Sequence, residues 1–234
     1  MNQVTKMTKE SMHKSKKLIT NDRERTNILR KWEQQAIAFF VQIIPGWISS
    51  NNLTFIGFLG NVLIFVSFVL ATYLSVEFLL LGVLGFAISW FGDSLDGRLA
   101  YYRHLERKNY GFALDITVDW LGIIMIGLGF MVYMEEPFRV IGFCFVVFYG
   151  WEMLTTLIRY KLTGKYSIDS GLLGPTEVRI IISLILILEV FVNGSIIYIS
   201  ILATTFLFIT NIIDTKKVLK LSDEADLSEK TTNK

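Results

Sequence analysis

Residues 53–76 read LTFIGFLGNVLIFVSFVLATYLSV and contain no charged side chain. Because an α-helix rises about 1.5 Å per residue, this stretch reaches about 36 Å, more than the roughly 30 Å of a bilayer's hydrocarbon core. It therefore predicts a transmembrane helix. Outward from it, further apolar stretches predict five more spans, at 78–92, 112–134, 137–159, 175–192 and 195–213. The expected fold class is an all-α integral membrane protein, a six-transmembrane-helix bundle.

The composition excludes a soluble protein. Of the 234 residues, 52% are apolar and 19% are charged, and the mean hydropathy is +0.48. In a typical soluble domain, about a quarter of the residues are charged. The formal net charge of +2 is too small to indicate nucleic-acid binding. A single cysteine, Cys144, excludes an internal disulfide scaffold.

The connections between the spans predict the topology. Very short links at Glu77, at 135–136 and at 193–194 group the six spans into three helical hairpins, so both termini lie on one side. Along this topology, 22 of the 23 Lys and Arg residues fall on that side, and only Arg139 falls on the other. The positive-inside rule makes this side cytoplasmic. We therefore expect a protein of a bacterial inner membrane with both termini in the cytoplasm.

The N-terminal region differs from the spans. Within 23–46, apolar residues recur at three- and four-residue steps beside basic ones, which predicts an amphipathic helix in the cytoplasmic interface, ending at Pro45. A soluble helix packed on a cytoplasmic loop is the alternative. The remaining divisions are a disordered cytoplasmic tail at 1–22, the six-helix domain at 47–213 and a second cytoplasmic tail at 214–234. Residues 222–234 are expected to be disordered.

Four aspartates interrupt the apolar spans near their cytoplasmic ends. Asp93 and Asp96 are three positions apart on the second span, and Asp115 and Asp119 are four apart on the third, so each pair shares a helix face. Four ionised carboxylates facing one another would repel, and protonation or a bound cation must relieve this. Oxygen-only ligands favour Mg²⁺ or Mn²⁺, and two such ions would clamp a diphosphate. A proton relay or a structural carboxylate pair are the alternatives.

These residues carry a resemblance to a known family. The run DSLDGRLAY at 93–101, followed by nine residues and then GFALDITVD at 111–119, resembles the signature D-x-x-D-G-x-x-A-R, eight or nine residues, G-x-x-x-D-x-x-x-D. This signature is typical of the CDP-alcohol phosphotransferase family, and seven of its eight fixed positions match. The segment 47–54 is also similar to the one that leads those enzymes into their first span.

The resemblance implies a function and a set of roles. It implies metal-dependent transfer of a substituted phosphate group from a CDP-linked donor, CDP-diacylglycerol or a CDP-alcohol, to an acceptor hydroxyl, with release of CMP in phospholipid biosynthesis. Asp93, Asp96 and Asp115 would hold one ion, and Asp93, Asp115 and Asp119 the second. Asp119 would also deprotonate the acceptor hydroxyl as the catalytic base. The expected partners are the CDP-linked substrate, a lipid, the bilayer and a second copy of the chain in a homodimer.

The nucleotide site implied by the family departs from the signature at one position. Gly97, Ala100 and Tyr101 would line this site together with Gly111, but Tyr101 stands where the family has arginine. A tyrosine hydroxyl gives one neutral hydrogen bond in place of a bidentate cation. Arg98 or Arg103 could supply the missing charge.

A second basic region surrounds the loop between the fourth and fifth spans. Arg159, Lys161, Lys165 and Arg179 could form a cationic pocket for a phosphorylated acceptor or a lipid phosphate. Ordinary anchoring at the membrane surface is at least as good an interpretation for the two lysines. Arg179 lies inside an apolar helix and needs an anionic partner. Glu152 and Glu189, also in apolar stretches, are expected to pair with polar groups or line the cavity.

Two other function classes compete with this hypothesis. An intramembrane prenyltransferase also uses two metals and a diphosphate, but its acidic motifs lie in separate halves of a longer bundle, whereas here only 19 positions separate Asp96 from Asp115. A cation- or proton-coupled transporter would place charges near mid-membrane in corresponding halves of an inverted repeat, which the sequence does not show.

Overall fold

The computed structural model describes residues 29–164 and 175–232, and these residues form seven α-helices and no β-strand. The helices are α1 (Arg30–Ile43), α2 (Ser50–Tyr73), α3 (Leu79–Tyr102), α4 (Lys108–Tyr133), α5 (Arg139–Thr163), α6 (Pro175–Phe191) and α7 (Ser195–Thr232). A 3-10 turn, Val76–Phe78, leads into α3. The predicted fold class, an all-α membrane bundle, is confirmed.

Five helices are long and apolar enough to cross a bilayer: α2, α3 with its preceding turn, α4, α5 and α7. The 17 residues of α6 reach only about 25 Å. The sixth span therefore stays a prediction. The apolar stretch of the second span ends at residue 92, and α3 continues past it without a break to Tyr102, as expected for a helix that carries Asp93 and Asp96. Asp93 and Asp96 thus lie on a regular helix.

Helices α2 to α7 form a closed ring. α2 packs against α3 and α4, α3 packs against α6, α6 against α7, α7 against α5, and α5 against α4. The larger of the two apolar clusters among the described residues lies at the far end of the ring from the aspartates and contains Ile64, Phe68, Phe86, Phe130 and Leu186. Neighbours in the chain are therefore not always neighbours in the ring, and α6 lies beside α3.

The closest helix contact in the ring lies between α2 and α3, where glycines face one another. A Cβ atom added at Gly92 would collide with the backbone of Gly57 and Leu53, and one added at Gly60 would meet the backbone of Ser89 at 2.5 Å. Only glycine leaves room for backbones to approach this closely. This contact brings the second turn of α2 directly against the turn of α3 that begins the aspartate motif.

Helix α1 lies against the end of the bundle that carries the aspartates. Its buried Ile37, Ala38 and Val41 pack with Leu95 and Leu99 of α3. The helix ends at Ile43, two residues before Pro45. This end is expected because proline cannot continue a helix. Residues before 29, where the sequence places the start of this helix, lie outside the described residues. Its position in the membrane interface stays a prediction.

Two tryptophans in and just after α1 are exposed. Trp32 is 75% exposed, and Trp47, just after the helix, is 79% exposed. Large exposed aromatic side chains at the end of a bundle are typical of the boundary between lipid and water. This exposure supports the interfacial position of α1.

The length of helix α7 contradicts the predicted disorder of the C-terminal tail. The helix continues past residue 213 to Thr232, so residues 222–232, expected to be disordered, are helical. Pairs one turn apart support this extension: Lys217 Nζ lies 2.8 Å from Asp214 Oδ1, and Lys220 Nζ lies 3.8 Å from Glu224 Oε1. The tail at 1–22 lies outside the described residues, and the domain boundaries stay predictions.

At the opposite end of the ring, a buried carboxylate closes the turn between α6 and α7. Glu189 accepts hydrogen bonds from Tyr133 Oη (2.9 Å), the Gly194 N–H (2.9 Å), Ser195 Oγ (3.0 Å) and the Ile196 N–H (2.8 Å). These donors include N-terminal groups of α7 that have no partner within the helix. The expectation that Glu189 pairs with polar groups is confirmed.

Candidate active site

Three of the four aspartates converge. Asp93 on α3 and Asp115 and Asp119 on α4 each offer a carboxylate oxygen, and these three oxygens lie within 4.8 Å of one another. Asp115 and Asp119 share a face of α4 because they are four residues apart, and the contacts of α2 with both α3 and α4 bring the two helices to one pocket. An oxygen-only set at this spacing suits a hard divalent cation.

The fourth aspartate, Asp96, lines the same pocket but is not one of this group. Its carboxylate accepts a hydrogen bond of 2.6 Å from Thr54 Oγ1 and another from the Gly97 N–H. Ser50 Oγ donates to the Asp96 backbone carbonyl at 2.8 Å. Asp96 is therefore fixed from α2, and its part in metal binding stays a prediction.

A cation reaches the cluster from α6. Arg179 Nη2 donates to Asp93 Oδ2 at 2.6 Å, with the two side chains 18% and 26% exposed. The sequence predicts an anionic partner for Arg179, and Asp93 is that partner. This contact depends on the packing of α6 against α3.

The pocket also has neutral polar walls. Besides the aspartates, it is lined by Thr54, Gly57, Asn61, Ser89 and Val118. Asn61 packs against Gly122 of α4, where an added Cβ would collide with its amide. The sequence motifs did not predict Thr54, Asn61 or Ser89 as part of the site. Their polar side chains within otherwise apolar spans, Thr54 and Asn61 in the first and Ser89 in the second, are the signal that could have found them.

Comparison with known protein families decides between the function classes. The family model described as CDP-alcohol phosphatidyltransferase matches residues 47–210, more than half of the chain. The chain belongs to the CDP-alcohol phosphatidyltransferase family. It is thus a transferase of phospholipid synthesis and an integral membrane protein, whose substrates are a CDP-linked compound and a lipid. A comparison with curated proteins finds no match.

The family uses divalent metals, and the convergence of Asp93, Asp115 and Asp119 gives this member a place where one could bind. The matched range begins at Trp47 and thus includes the Ser50 and Thr54 contacts to Asp96, but it leaves out α1. The family match and the three-aspartate group therefore fall on the same helices.

The glycines expected at the nucleotide site of this transferase are open. A Cβ added at Gly97 or at Gly111 would meet no atom of the described residues within 4 Å. Gly97 thus leaves one side of the α3 backbone accessible beside Asp96. Ala100, Tyr101 and Arg98 are half-buried on the same part of α3.

Arg103 has a different environment from the one expected. It caps α3 and donates from Nη1 to the Ile48 carbonyl (2.6 Å) and from Nη2 to the carbonyls of Ile44 and Pro45 (both 3.0 Å). These bonds satisfy backbone acceptors in the link between α1 and α2. The guanidinium is therefore engaged with the backbone of this link.

Arg159 lies in the last turns of α5. Its Nη2 atom is buried and has no hydrogen-bond partner among the described residues, as is also true of Glu152 Oε2. Glu152 lies within electrostatic range of Arg159 and of Asp214 and Lys217 on α7. Lys165, the other member of this basic region on the loop, lies outside the described residues.

Proposed function

We propose that this transferase moves a substituted phosphate group from a CDP-linked donor, CDP-diacylglycerol or a CDP-alcohol, to an acceptor hydroxyl and releases CMP, with two Mg²⁺ or Mn²⁺ ions. One observation carries the proposal. The convergence of Asp93, Asp115 and Asp119 lies within the part of the chain that matches the family.

The residues fit the ions. Asp93, Asp96 and Asp115 would hold one ion, and Asp93, Asp115 and Asp119 the other; these are hard oxygen ligands of the kind Mg²⁺ and Mn²⁺ prefer. When bound, the ions would polarise the phosphate and neutralise charge on the leaving group. Thr54 and the Gly97 N–H orient the Asp96 carboxylate, which limits the conformations it can adopt.

In this proposal, Asp119 accepts the proton of the acceptor hydroxyl. As the acceptor oxygen attacks the β-phosphorus, its proton passes to an Asp119 carboxylate oxygen. The new oxygen–phosphorus bond forms while the bond between this phosphorus and the bridging oxygen of CMP breaks, and CMP leaves with the electron pair. The position of Asp119, one turn deeper on α4 than Asp115, supports this role because it places the base away from the nucleotide.

Substrate binding would divide between two ends of the pocket. Gly97, Ala100, Tyr101 and Gly111 would admit the nucleotide, with Arg98 beside its diphosphate, and the lack of neighbouring atoms at both glycines supports this. Arg159 and Arg179 would face the acceptor or a lipid phosphate. For Arg103 the contacts favour a positioning role, since it binds the link between α1 and α2.

We also propose the setting of this chemistry. The distribution of Lys and Arg favours a cytoplasmic active site with both termini on that side, in a bacterial inner membrane, and a homodimer is the expected assembly. A cytoplasmic site suits a reaction in which one substrate is water-soluble and the other is a lipid.

The experiment offers the purified protein two sets of substrates in the presence of Mg²⁺. One set combines radiolabelled CDP-diacylglycerol with a panel of alcohols, and the other combines CDP-ethanolamine or CDP-choline with diacylglycerol. CMP and a labelled phospholipid should appear together in one of the two sets. Products in neither set, from protein that is folded and binds Mn²⁺, would contradict the proposed reaction.

A further inference from the structure

Asp93 belongs to the three-aspartate group and is also the partner of Arg179. The guanidinium nitrogen Nη2 lies 2.6 Å from Asp93 Oδ2, and both side chains are largely shielded from water. One carboxylate oxygen of this candidate metal ligand is thus already bonded to a permanent cation. A guanidinium does not lose its proton in a protein, so the positive charge beside Asp93 is permanent.

The elements that bring these two side chains together are fixed at several points. Thr176 Oγ1 on α6 donates to Glu33 Oε1 on α1 at 3.1 Å, and the Leu29 N–H donates to Glu177 Oε1 at 2.8 Å. Asp96, three residues after Asp93 on α3, accepts hydrogen bonds from Ser50 and Thr54 of α2. The start of α6, which carries Arg179, is therefore anchored next to the aspartates.

The position of Arg179 has opposite consequences for a cation and for an anion. A fixed positive charge beside three carboxylates lowers their affinity for a divalent cation, both by repulsion and by occupying Asp93 Oδ2. The same charge attracts a phosphate, to which a guanidinium can donate two parallel hydrogen bonds. The long side chain can exchange one anionic partner for another without movement of α6.

We propose that Arg179 is a substrate-binding residue that competes with metal for Asp93. It occupies Asp93 when no metal is bound, and it transfers to an anionic phosphate of the substrate when metal takes the carboxylate. This inference rests on the proposed metal-dependent function. It adds that one side chain weakens metal binding to the free protein and strengthens substrate binding to the metal-loaded protein.

The test measures Mn²⁺ binding by electron paramagnetic resonance, in detergent and without nucleotide, for the wild-type protein and Arg179→Gln. The variant should bind Mn²⁺ about tenfold more tightly. At saturating Mn²⁺, calorimetry should show weaker binding of CDP-diacylglycerol, whose lipid phosphate Arg179 would face, to the same variant. Lys217→Gln, which removes a cation that contacts Asp214 rather than Asp93, should leave Mn²⁺ affinity unchanged.

Arg179→Lys provides a second test, which also applies if the glutamine variant does not fold. Lysine keeps the charge but loses the fork of donors, so Mn²⁺ affinity should lie between those of the wild type and Arg179→Gln and above the wild-type value. Unchanged or weaker Mn²⁺ binding in the folded Arg179 variants would overturn the competition. Failure of the wild-type protein to bind Mn²⁺ would instead overturn the proposed metal-dependent function.

Discussion

Thr54 on α2 donates a hydrogen bond of 2.6 Å to Asp96 on α3, and both residues are buried. One turn earlier, Ser50 donates to the backbone carbonyl of the same aspartate at 2.8 Å. These two contacts fix the turn of α3 that carries Asp93 and Asp96. Helix α2 thus orients the aspartate motif although it contributes no charged group to it.

Replacing Thr54 by valine keeps the shape of the side chain and removes the donor. The Asp96 carboxylate then loses a partner in a buried position, which costs about 1–3 kcal/mol. We expect Thr54→Val to lower the unfolding temperature in detergent, and Thr54→Ser, which keeps the hydroxyl, to restore most of the loss. An unfolding temperature equal to that of the wild type in Thr54→Val would show that the bond contributes nothing to stability.

The glycines at 92 and 97 should respond differently to alanine. Gly92→Ala forces the α2 and α3 backbones apart, and overpacking of this kind costs about 1–3 kcal/mol. Gly97→Ala meets no described atom and improves helix propensity, so the unfolding temperature should not fall. If the nucleotide approaches α3 at this point, the KM for the CDP-linked substrate rises in Gly97→Ala. An unchanged KM would exclude that approach.

The sequence was sufficient to predict much of the bundle. Uncharged stretches long enough to cross a bilayer define the spans, and the spacing of Asp115 and Asp119 places both on one face of α4. The neighbours of each helix in the ring depend on packing between distant segments, which local periodicity does not contain. For this reason the sequence predicted that Arg179 needs an anion but not that the anion is Asp93.

Two further differences between the sequence predictions and the structure arise from hydrogen bonds, which sequence patterns do not reveal. Arg103 has the charge expected of a phosphate ligand, yet backbone carbonyls at 44, 45 and 48 accept its hydrogen bonds. Residues 222–232 are polar enough to suggest disorder, but the helix of α7 propagates through them. Composition alone does not predict either the contacts of Arg103 or the extension of α7.

The proposed orientation can be tested by cysteine labelling in intact cells. In a Cys144→Ser background, Asn193→Cys should react with a membrane-impermeant maleimide from outside, because the turn between α6 and α7 lies on the side opposite the aspartates. Glu106→Cys, in the link between α3 and α4, should react only after the membrane is opened. Both positions are exposed, so a difference in labelling between them does not come from a difference in burial. The reverse labelling pattern would invert the topology.

The roles proposed for Asp119 and Asp93 predict different defects. Asp119→Asn removes the base but leaves Asp93 and Asp115 near each other, so calorimetry at fixed Mg²⁺ should show substantial affinity for the CDP-linked substrate while turnover falls about a hundred- to ten-thousand-fold. Asp93→Asn removes a carboxylate proposed to contact both ions and should weaken nucleotide binding as well. Equal loss of binding in the two variants would make Asp119 chiefly a metal ligand.

The most direct test of the central claim is the release of CMP by the purified wild-type protein with and without divalent metal. With the donor and acceptor identified by the substrate panel, excess EDTA should abolish CMP release, and added Mg²⁺ or Mn²⁺ should restore it. Asp115→Asn should remain inactive under both conditions at an undiminished protein level. Full release of CMP in excess EDTA would contradict the account.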